Sequence, residues 1–140
     1  MDICQTKPSL RTLLGRAGAA FDPARVPDAD VTAVVCDSRK VVPGCVFIAI
    51  RGTGSDGHAY AEQVLAAGAV CVVTETVGFL PGRPVAAVGN AREAFARLNH
   101  HLWGEPSKRM KTLAVTGTNG KTTSAYLASH VLSRKHRPIK

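Results

Sequence analysis

The chain has 140 residues, of which 45% are hydrophobic and 20% are charged. No apolar run approaches the roughly 20 residues that cross a bilayer, and the N-terminus lacks the features of a signal peptide, so we expect no membrane partner. Eighteen lysines and arginines against ten acidic residues give a formal net charge of +8, which favours an anionic ligand.

The first half of the chain predicts helices that alternate with strands. Leucines at helical spacing begin a short helix near Ser9, and Gly18 ends it. The further predicted elements here are strands over 31–36 and 46–50 and a helix over 58–67. A polar, glycine-rich loop over 52–57 precedes that helix, and Gly68 follows it as a left-handed cap.

The second half continues the alternation, which predicts an α/β domain. Its predicted elements are strands over 70–73 and 85–88 and a helix over 91–103. Asn90 and Glu93 form an Asn-x-x-Glu variant of the capping box at the start of that helix. Beyond a linker at 104–108, the predicted elements are a strand over 112–115, a glycine loop and a helix over 122–134.

The four cysteines, Cys4, Cys36, Cys45 and Cys71, form no Cys-x-x-Cys pair. Three of them lie in apolar stretches, where a free cysteine behaves as a small hydrophobic residue. Two disulfides are compatible with the count. We favour buried free thiols in a cytoplasmic protein. We expect no zinc site, because no histidine lies at ligand spacing from a cysteine pair.

The loop between the last strand and the last helix predicts a phosphate site. Glycines let the backbone approach a polyphosphate, and the helix N-terminus favours an anion. Lys121 supplies a catalytic point charge, and the Thr122 hydroxyl suits magnesium. The generic phosphate-loop pattern requires a glycine where Val115 stands. The strand before and the helix after still favour phosphate binding over a plain glycine turn.

The stretch Thr116-Gly117-Thr118-Asn119-Gly120-Lys121-Thr122-Thr123 resembles the ATP loop of the Mur ligase superfamily. Upstream, residues 37–49 and Asp56-Gly57-His58-Ala59-Tyr60 are similar to the UDP-binding N-terminal domain of the same family. The resemblance implies phosphorylation of a carboxylate by ATP, followed by attack of an amine on the acyl phosphate. The ATP-binding residues that it implies are Gly117, Thr118, Asn119, Gly120, Lys121, Thr122 and Thr123, with Thr122 also binding magnesium.

The stretch Trp103-Gly104-Glu105-Pro106-Ser107 is similar to family members that add the third amino acid to UDP-MurNAc-L-Ala-D-Glu during peptidoglycan precursor synthesis. That amino acid is diaminopimelate or lysine, and these residues do not decide which. The implied organisation is a mixed-sheet α/β domain over 1–107 that binds the UDP-sugar-peptide. It is followed over 108–140 by the first strand, phosphate loop and helix of a P-loop ATPase domain.

The resemblance also implies which residues contact the UDP-sugar substrate. They follow the first two strands and are Cys36, Ser38, Thr53, Gly54 and Ser55. Hydroxyl groups and loop amides can bind a uracil edge or a pyrophosphate. The family often carries a His-Gln type pair where Thr53 and Gly54 stand here.

The histidines are interpreted as structural. His58 is expected at the surface of a helix start without a catalytic partner, and His100 and His101 are expected to stabilise a helix C-terminus. The basic clusters at 108–111 and 134–140 contain no aromatic residues, so we expect no nucleic-acid partner.

The ATPase part is short, because one strand and one helix bury too little surface to form a core. We therefore expect residues 1–140 alone to be a truncated, inactive part of a ligase. Two alternatives remain open at this stage. One is a stand-alone UDP-sugar-binding module, and the other is a different P-loop NTPase such as a kinase.

Overall fold

The computed structural model describes residues 8–52 and 54–134. The chain divides into two compact units, Met1–Pro106 and Ser107–Lys140. Unit 1 holds the sheet and three helices, and unit 2 holds one further helix. None of the described helices has the length and apolar character needed to span a bilayer.

Unit 1 is built on a five-stranded mixed sheet in the order β1-β5-β4-β3-β2. The strands are β1 (Ala20–Phe21), β2 (Val34–Val35), β3 (Val46–Ile48), β4 (Cys71–Thr74) and β5 (Val85–Ala87). Strands β2 to β5 are mutually parallel, and β1 pairs antiparallel with β5. The predicted mixed-sheet α/β class is therefore confirmed.

The two central strands are buried on both faces. Every residue of β3 and β4 is buried, as expected for parallel strands with helices on both sides of the sheet. Val46 and Ile48 of β3 belong to one apolar core, and Phe47 between them belongs to another. This alternation follows from side chains that point to opposite faces of a strand.

Three helices cover the sheet. They are α1 (Leu10–Arg16), α2 (Ala61–Ala66) and α3 (Ala91–Leu102). Helices α1 and α3 contribute to the core that contains Val46, and α2 contributes to the core that contains Phe47. Burial of apolar side chains on both faces of the sheet is the main stabilising term of unit 1.

The Asn90 half of the predicted capping box of α3 is confirmed, whereas the Glu93 carboxylate pairs with Arg97. The side chain of Asn90 accepts a hydrogen bond from the Glu93 amide at 2.9 Å. Glu75, which follows β4, also accepts from the Ala91 amide at 2.7 Å. Two side-chain acceptors therefore satisfy N–H groups that the first turn of a helix leaves without intrahelical partners.

The predicted helix over 58–67 begins differently. A 3-10 turn over Gly57–Tyr60 precedes α2, which runs over Ala61–Ala66. The end agrees with the prediction, since Gly68 has a φ of 101° and the Ala69 amide donates to the Val64 carbonyl at 3.0 Å. This is the glycine-ended helix terminus that the sequence predicts.

The expectation of buried thiols is correct for two cysteines and wrong for one. Cys45 and Cys71 are buried, whereas Cys36 is exposed, and all three are free. Burial raises the pKa of the Cys71 thiol to about 12. Cys36 differs because it lies just beyond the end of β2, where the chain leaves the sheet. Cys4 lies outside the described residues.

Unit 2 contains helix α4 (Lys121–Leu132), which begins one residue earlier than predicted and ends two residues earlier. The strand predicted over 112–115 is not formed. A strand requires a hydrogen-bonded neighbour, and no strand among residues 107–134 offers one. Helix α4 has no buried residue over its length.

Candidate functional site

The candidate site lies at one edge of the sheet in unit 1. Because β2, β3 and β4 are parallel, the segments that leave their carboxyl ends emerge along the same edge. In open α/β sheets, ligands bind in the crevice outside the carboxyl ends of the strands. We call this side of unit 1 the carboxyl edge.

The turn after β2 is held by an aspartate–arginine pair. The Asp37 carboxylate accepts from the Arg39 amide at 3.0 Å and from two guanidinium nitrogens at 2.9 and 2.8 Å. These hydrogen bonds lower the pKa of Asp37 to about 2, so its carboxylate is ionised at neutral pH. The pair fixes a 3-10 turn whose first residue is Ser38.

The predicted substrate residues Cys36 and Ser38 therefore both lie at the carboxyl edge. Cys36 is exposed, and Ser38 is partly exposed in the turn that Asp37 caps. The hydrogen bond to Asp37 and the charge of its carboxylate raise the pKa of Arg39. Both members of the pair are therefore ionised at neutral pH and hold the turn at this edge.

The loop after β3 is closed at its base. The Gly52 amide donates to the Ser55 carbonyl at 3.0 Å, and the Gly57 amide donates to the Ile50 carbonyl at 3.0 Å. At the tip, Gly54 and Ser55 are exposed. Thr53, the third predicted substrate residue of this loop, lies outside the described residues. The closed base presents the backbone of the tip to solvent.

The side chain of His58 connects this loop to β4. The sequence did not predict this contact. The His58 Nδ1 lies 2.5 Å from Asp56 Oδ1, and its Nε2 lies 2.6 Å from Thr74 Oγ1. A carboxylate only accepts, so Nδ1 carries the proton in the neutral ring and Nε2 accepts from the Thr74 hydroxyl. Hydrogen bonds from the His58 amide and ring lower the pKa of Asp56.

The expectation that His58 lies at the surface is wrong, whereas the expectation that it has no catalytic partner stays a prediction. Its side chain is only 11% exposed, and the ring of Phe79 packs against it edge-on at 4.9 Å. The prediction failed because Thr74 and Phe79 are distant in sequence and are brought to His58 by the parallel pairing of β3 and β4. The local signal was Asp56, whose spacing from His58 is typical of an Asx turn.

The order Asp56–His58–Thr74 is similar to a nucleophilic triad, but the environment of Thr74 excludes that role. Thr74 is fully buried, and its Oγ1 also accepts from the Thr76 amide at 3.0 Å. A hydroxyl that no substrate can reach does not act as a nucleophile. The three side chains instead position the loop over 52–57 on the carboxyl edge.

Gly57 provides a direct test of this positioning. A Cβ at Gly57 would lie 2.9 Å from the Ile50 nitrogen and 3.1 Å from the Ala49 Cα, and these backbone atoms cannot move independently of β3. We expect Gly57→Ala to lower the free energy of unfolding by about 1–3 kcal/mol, measured by urea denaturation.

Gly54→Ala is the matched control, because a Cβ at Gly54 meets no atom within 4 Å. We expect this variant to unfold within about 0.5 kcal/mol of the unsubstituted chain. Equal unfolding midpoints for the two variants would contradict a tightly held loop base.

The predicted phosphate loop of unit 2 joins directly onto α4. Gly120 caps the helix in a left-handed conformation with φ of 74°, and Gly117 has φ of 146°. The Lys121 ammonium donates to the Gly117 carbonyl at 2.5 Å and to the Thr118 carbonyl at 3.3 Å. The loop and the first turn of the helix therefore curve around the ammonium group.

This geometry fits a nucleotide phosphate. Residues 117–123 are all exposed, and the first N–H groups of α4 have no intrahelical acceptors. The Lys121 charge is held over the loop, where it can transfer from carbonyl oxygens to phosphate oxygens. Thr122 lies in the first turn of α4, the position from which a phosphate-loop hydroxyl reaches magnesium.

The sequence profile described as "Mur ligase family, catalytic domain" matches residues 30–102, which is more than half of the chain. The chain belongs to the Mur ligase family. The match lies within unit 1 and spans the carboxyl edge. The nucleotide assignment of the loop over 116–123 stays a prediction.

Two relatives illustrate the similarity. The chain is 45% identical over 115 residues to a UDP-N-acetylmuramyl-tripeptide synthetase of Roseiflexus sp. (strain RS-1), covering 79% of this chain and 23% of that protein. It is 36% identical over 114 residues to a UDP-N-acetylmuramoyl-L-alanyl-D-glutamate--2,6-diaminopimelate ligase of Caldanaerobacter subterraneus subsp. tengcongensis, covering 81% and 24%. The chain thus spans about a quarter of the length of these relatives.

Solved structures with similar folds include MurF from Acinetobacter baumannii, with a TM-score of 0.68 and 26% identity over 88% of this chain and 27% of that one. Another is MurF ligase from Thermotoga maritima in complex with ADP, with a TM-score of 0.55 and 27% identity over 74% and 23%. Both belong to the family that the profile identifies.

Proposed function

We propose that this chain carries the UDP-substrate site and the phosphate loop of a ligase that adds the third amino acid to UDP-MurNAc-L-Ala-D-Glu. The observation that carries the proposal is the carboxyl edge, where the turn after β2 and the braced loop after β3 emerge together. Membership of the Mur ligase family and 45% identity to a tripeptide synthetase support this step.

In unit 1, the proposed ligand is the UDP end of the sugar-peptide. Ser38 and Ser55 offer hydroxyl groups, and the exposed loop tip at Gly54 offers backbone amides. The proposed contacts also include Cys36 and Thr53. The hydrogen bonds of His58 restrict the loop over 52–57 before the ligand binds. The loop therefore loses less conformational entropy on binding.

In unit 2, the proposed ligand is ATP with magnesium. Bound ATP supplies the phosphoryl group that activates the substrate carboxylate. Gly117 and Gly120 let the loop follow the phosphate chain, with Thr118, Asn119 and Thr123 beside them. Lys121 neutralises phosphate charge and Thr122 offers its hydroxyl to the metal. The ADP complex of the Thermotoga MurF ligase supports nucleotide use in this family.

Cys36 allows a direct test of the substrate site. It is exposed while Cys45 and Cys71 are buried, so in a Cys4→Ser background an alkylating reagent reports on Cys36 in the folded chain. We expect UDP-MurNAc-L-Ala-D-Glu to slow the alkylation of Cys36 severalfold, and MurNAc-L-Ala-D-Glu without UDP to have no effect.

Ser38→Ala is expected to weaken that protection, and Ser133→Ala, in unit 2, is the matched control. Unchanged alkylation of Cys36 at saturating UDP-sugar-peptide would overturn the proposed substrate site. Protection by the UDP-free compound alone would assign the edge to the peptide end instead.

The MurF structures favour a second candidate, addition of the terminal dipeptide. Two hybrid enzymes distinguish the steps, with residues 1–134 replacing the matching segment of either the Roseiflexus synthetase or the Acinetobacter MurF. We expect the Roseiflexus hybrid to extend UDP-MurNAc-L-Ala-D-Glu and the MurF hybrid to be inactive. Activity of the MurF hybrid alone would overturn the third-residue assignment.

A further inference from the structure

A cluster of three metal-ligand side chains lies at the end of α3, away from the carboxyl edge. It consists of His100, His101 and Glu105, and we call it the α3-end cluster. Helix α3 begins at the carboxyl edge after β5 and has 12 residues, which corresponds to about 18 Å. The cluster is therefore at the opposite end of the helix from the proposed substrate site.

The backbone brings the third side chain to the other two. The Gly104 amide donates to the His101 carbonyl at 3.1 Å, and the Glu105 amide donates to the His100 carbonyl at 2.8 Å. Gly104 has φ of 70° and Glu105 has φ of 56°. The left-handed region is disfavoured for a residue with a Cβ, yet here it folds Glu105 back onto the last turn of α3.

The ligand atoms are close enough to share one ion. One ring nitrogen from each histidine and one carboxylate oxygen of Glu105 all lie within 4.8 Å of one another. Tetrahedral zinc ligands at about 2.1 Å from the ion are separated from each other by about 3.4 Å. His101 Nδ1 lies 3.0 Å from Glu105 Oε1, so a small rotation of these side chains gives that separation.

His101 Nδ1 has a further property that points to a ligand. This atom is buried and makes no hydrogen bond within residues 8–52 and 54–134. It lies 3.0 Å from Glu105 Oε1, a contact that is an ion pair only when the imidazole is protonated. A metal ion bound at this point would satisfy the lone pair that Nδ1 carries in the neutral ring. Buried polar atoms without a partner are rare in proteins.

We propose that the α3-end cluster binds a divalent transition-metal ion of the zinc type. Two imidazoles and one carboxylate form a borderline donor set that suits zinc, cobalt and nickel. Magnesium and calcium prefer ligand sets made only of oxygen. Three protein ligands leave further coordination positions to water, and ion binding would fix the last turn of α3 to the residues that follow it.

The sequence predicts no zinc site, because no histidine lies at ligand spacing from a cysteine pair. His100 and His101 are predicted to stabilise the helix end, and the structure adds Glu105 through the turn at Gly104. The proposal does not depend on the ligase function. Its failure would leave the carboxyl edge and the phosphate loop unaffected.

Trp103 provides the readout for a binding experiment. It is the single tryptophan of the chain, it lies between His101 and Glu105 in sequence, and it is 69% exposed. We expect nickel or cobalt ions to quench its fluorescence at one ion per chain, and zinc to reverse the quenching by competition. Magnesium in large excess is expected to have no effect.

Two variants and two controls complete the test. His101→Ala and Glu105→Gln are each expected to weaken zinc binding at least about tenfold, as ligand-shell changes do. His130→Ala and His136→Ala, which remove histidines outside the cluster, are expected to leave it unchanged. Circular dichroism checks folding, and Glu105→Gln keeps the side-chain shape if His101→Ala is destabilised.

Two outcomes would overturn the proposal. One is the absence of one-to-one quenching in the unsubstituted chain. The other is zinc affinity that His101→Ala and Glu105→Gln leave unchanged while a control variant lowers it, which would place the ion elsewhere.

Discussion

Lys121→Ala in the Roseiflexus hybrid is expected to lower kcat for tripeptide formation by on the order of a hundredfold to a thousandfold, as for loss of one preorganised group that stabilises developing charge. The Lys121 ammonium is held over the phosphate loop by the carbonyls of Gly117 and Thr118. Alanine removes the charge that this position offers to the nucleotide phosphates. Steady-state kinetics with ATP and UDP-MurNAc-L-Ala-D-Glu measure the effect.

Lys111→Ala is the matched control for this prediction, since Lys111 is an exposed lysine of unit 2 outside the loop. We expect its kcat to stay within about twofold of the hybrid's, since surface substitutions away from structural and functional features have small effects. Lys121→Arg keeps the charge but not its position, and we expect intermediate activity. Equal kcat values for Lys121→Ala and Lys111→Ala would contradict the proposed role of the loop.

Phe47→Ala is expected to lower the free energy of unfolding by about 3–5 kcal/mol, as for other buried aromatic residues. Phe47 is 1% exposed in the central strand β3 and packs in the core between the sheet and α2. Domains of this size are stable by only about 5–15 kcal/mol. The variant therefore loses a large share of this stability, and we expect its unfolding midpoint to lie at a much lower urea concentration, measured by urea titration.

Val77→Ala is the control for the core prediction, because Val77 is 86% exposed. Its unfolding free energy is expected to change by less than about 0.5 kcal/mol. Phe47→Leu, which leaves a smaller cavity, is expected to fall between the two. A loss below 1 kcal/mol for Phe47→Ala would show that the space around it collapses on truncation.

Much of unit 1 could be predicted because its signals are local. The continuous apolar runs around Phe47 and Val72 identify buried parallel strands. The polar cap at Asn90 identifies the start of α3, and Gly68 identifies the end of α2. Each of these signals lies within a few residues of the feature that it predicts.

Two other features of the fold depend on strand pairing, which the spacing of residues along the sequence does not show. Strand β1 is two residues long and exists because Ala20 pairs with Ala87. The segment at 112–115 has strand-forming residues but no neighbour among residues 107–134. Intrinsic preference for a strand is weaker than the requirement for a hydrogen-bonded partner.

The candidate sites also contain local features that the sequence predicts and long-range contacts that it does not. The proposed phosphate loop is one contiguous stretch, and its glycines and lysine stand out in the sequence alone. The hydrogen bonds among Asp56, His58 and Thr74 connect the loop after β3 to β4, and these residues are distant in sequence. The α3-end cluster depends on a left-handed glutamate, a conformation that residue type does not predict.

The pairing of β1 with β5 has a consequence for how unit 1 folds. Ala20 and Ala87 are 67 residues apart, and closing so long a loop slows folding. During synthesis, β1 is made before β5, and until β5 follows the backbone N–H and C=O groups of β1 have no partner strand. The first strand of the sheet to be translated is thus among the last to be protected, which makes hydrogen exchange at the Ala20 amide, opposite Ala87, a sensitive reporter of complete folding.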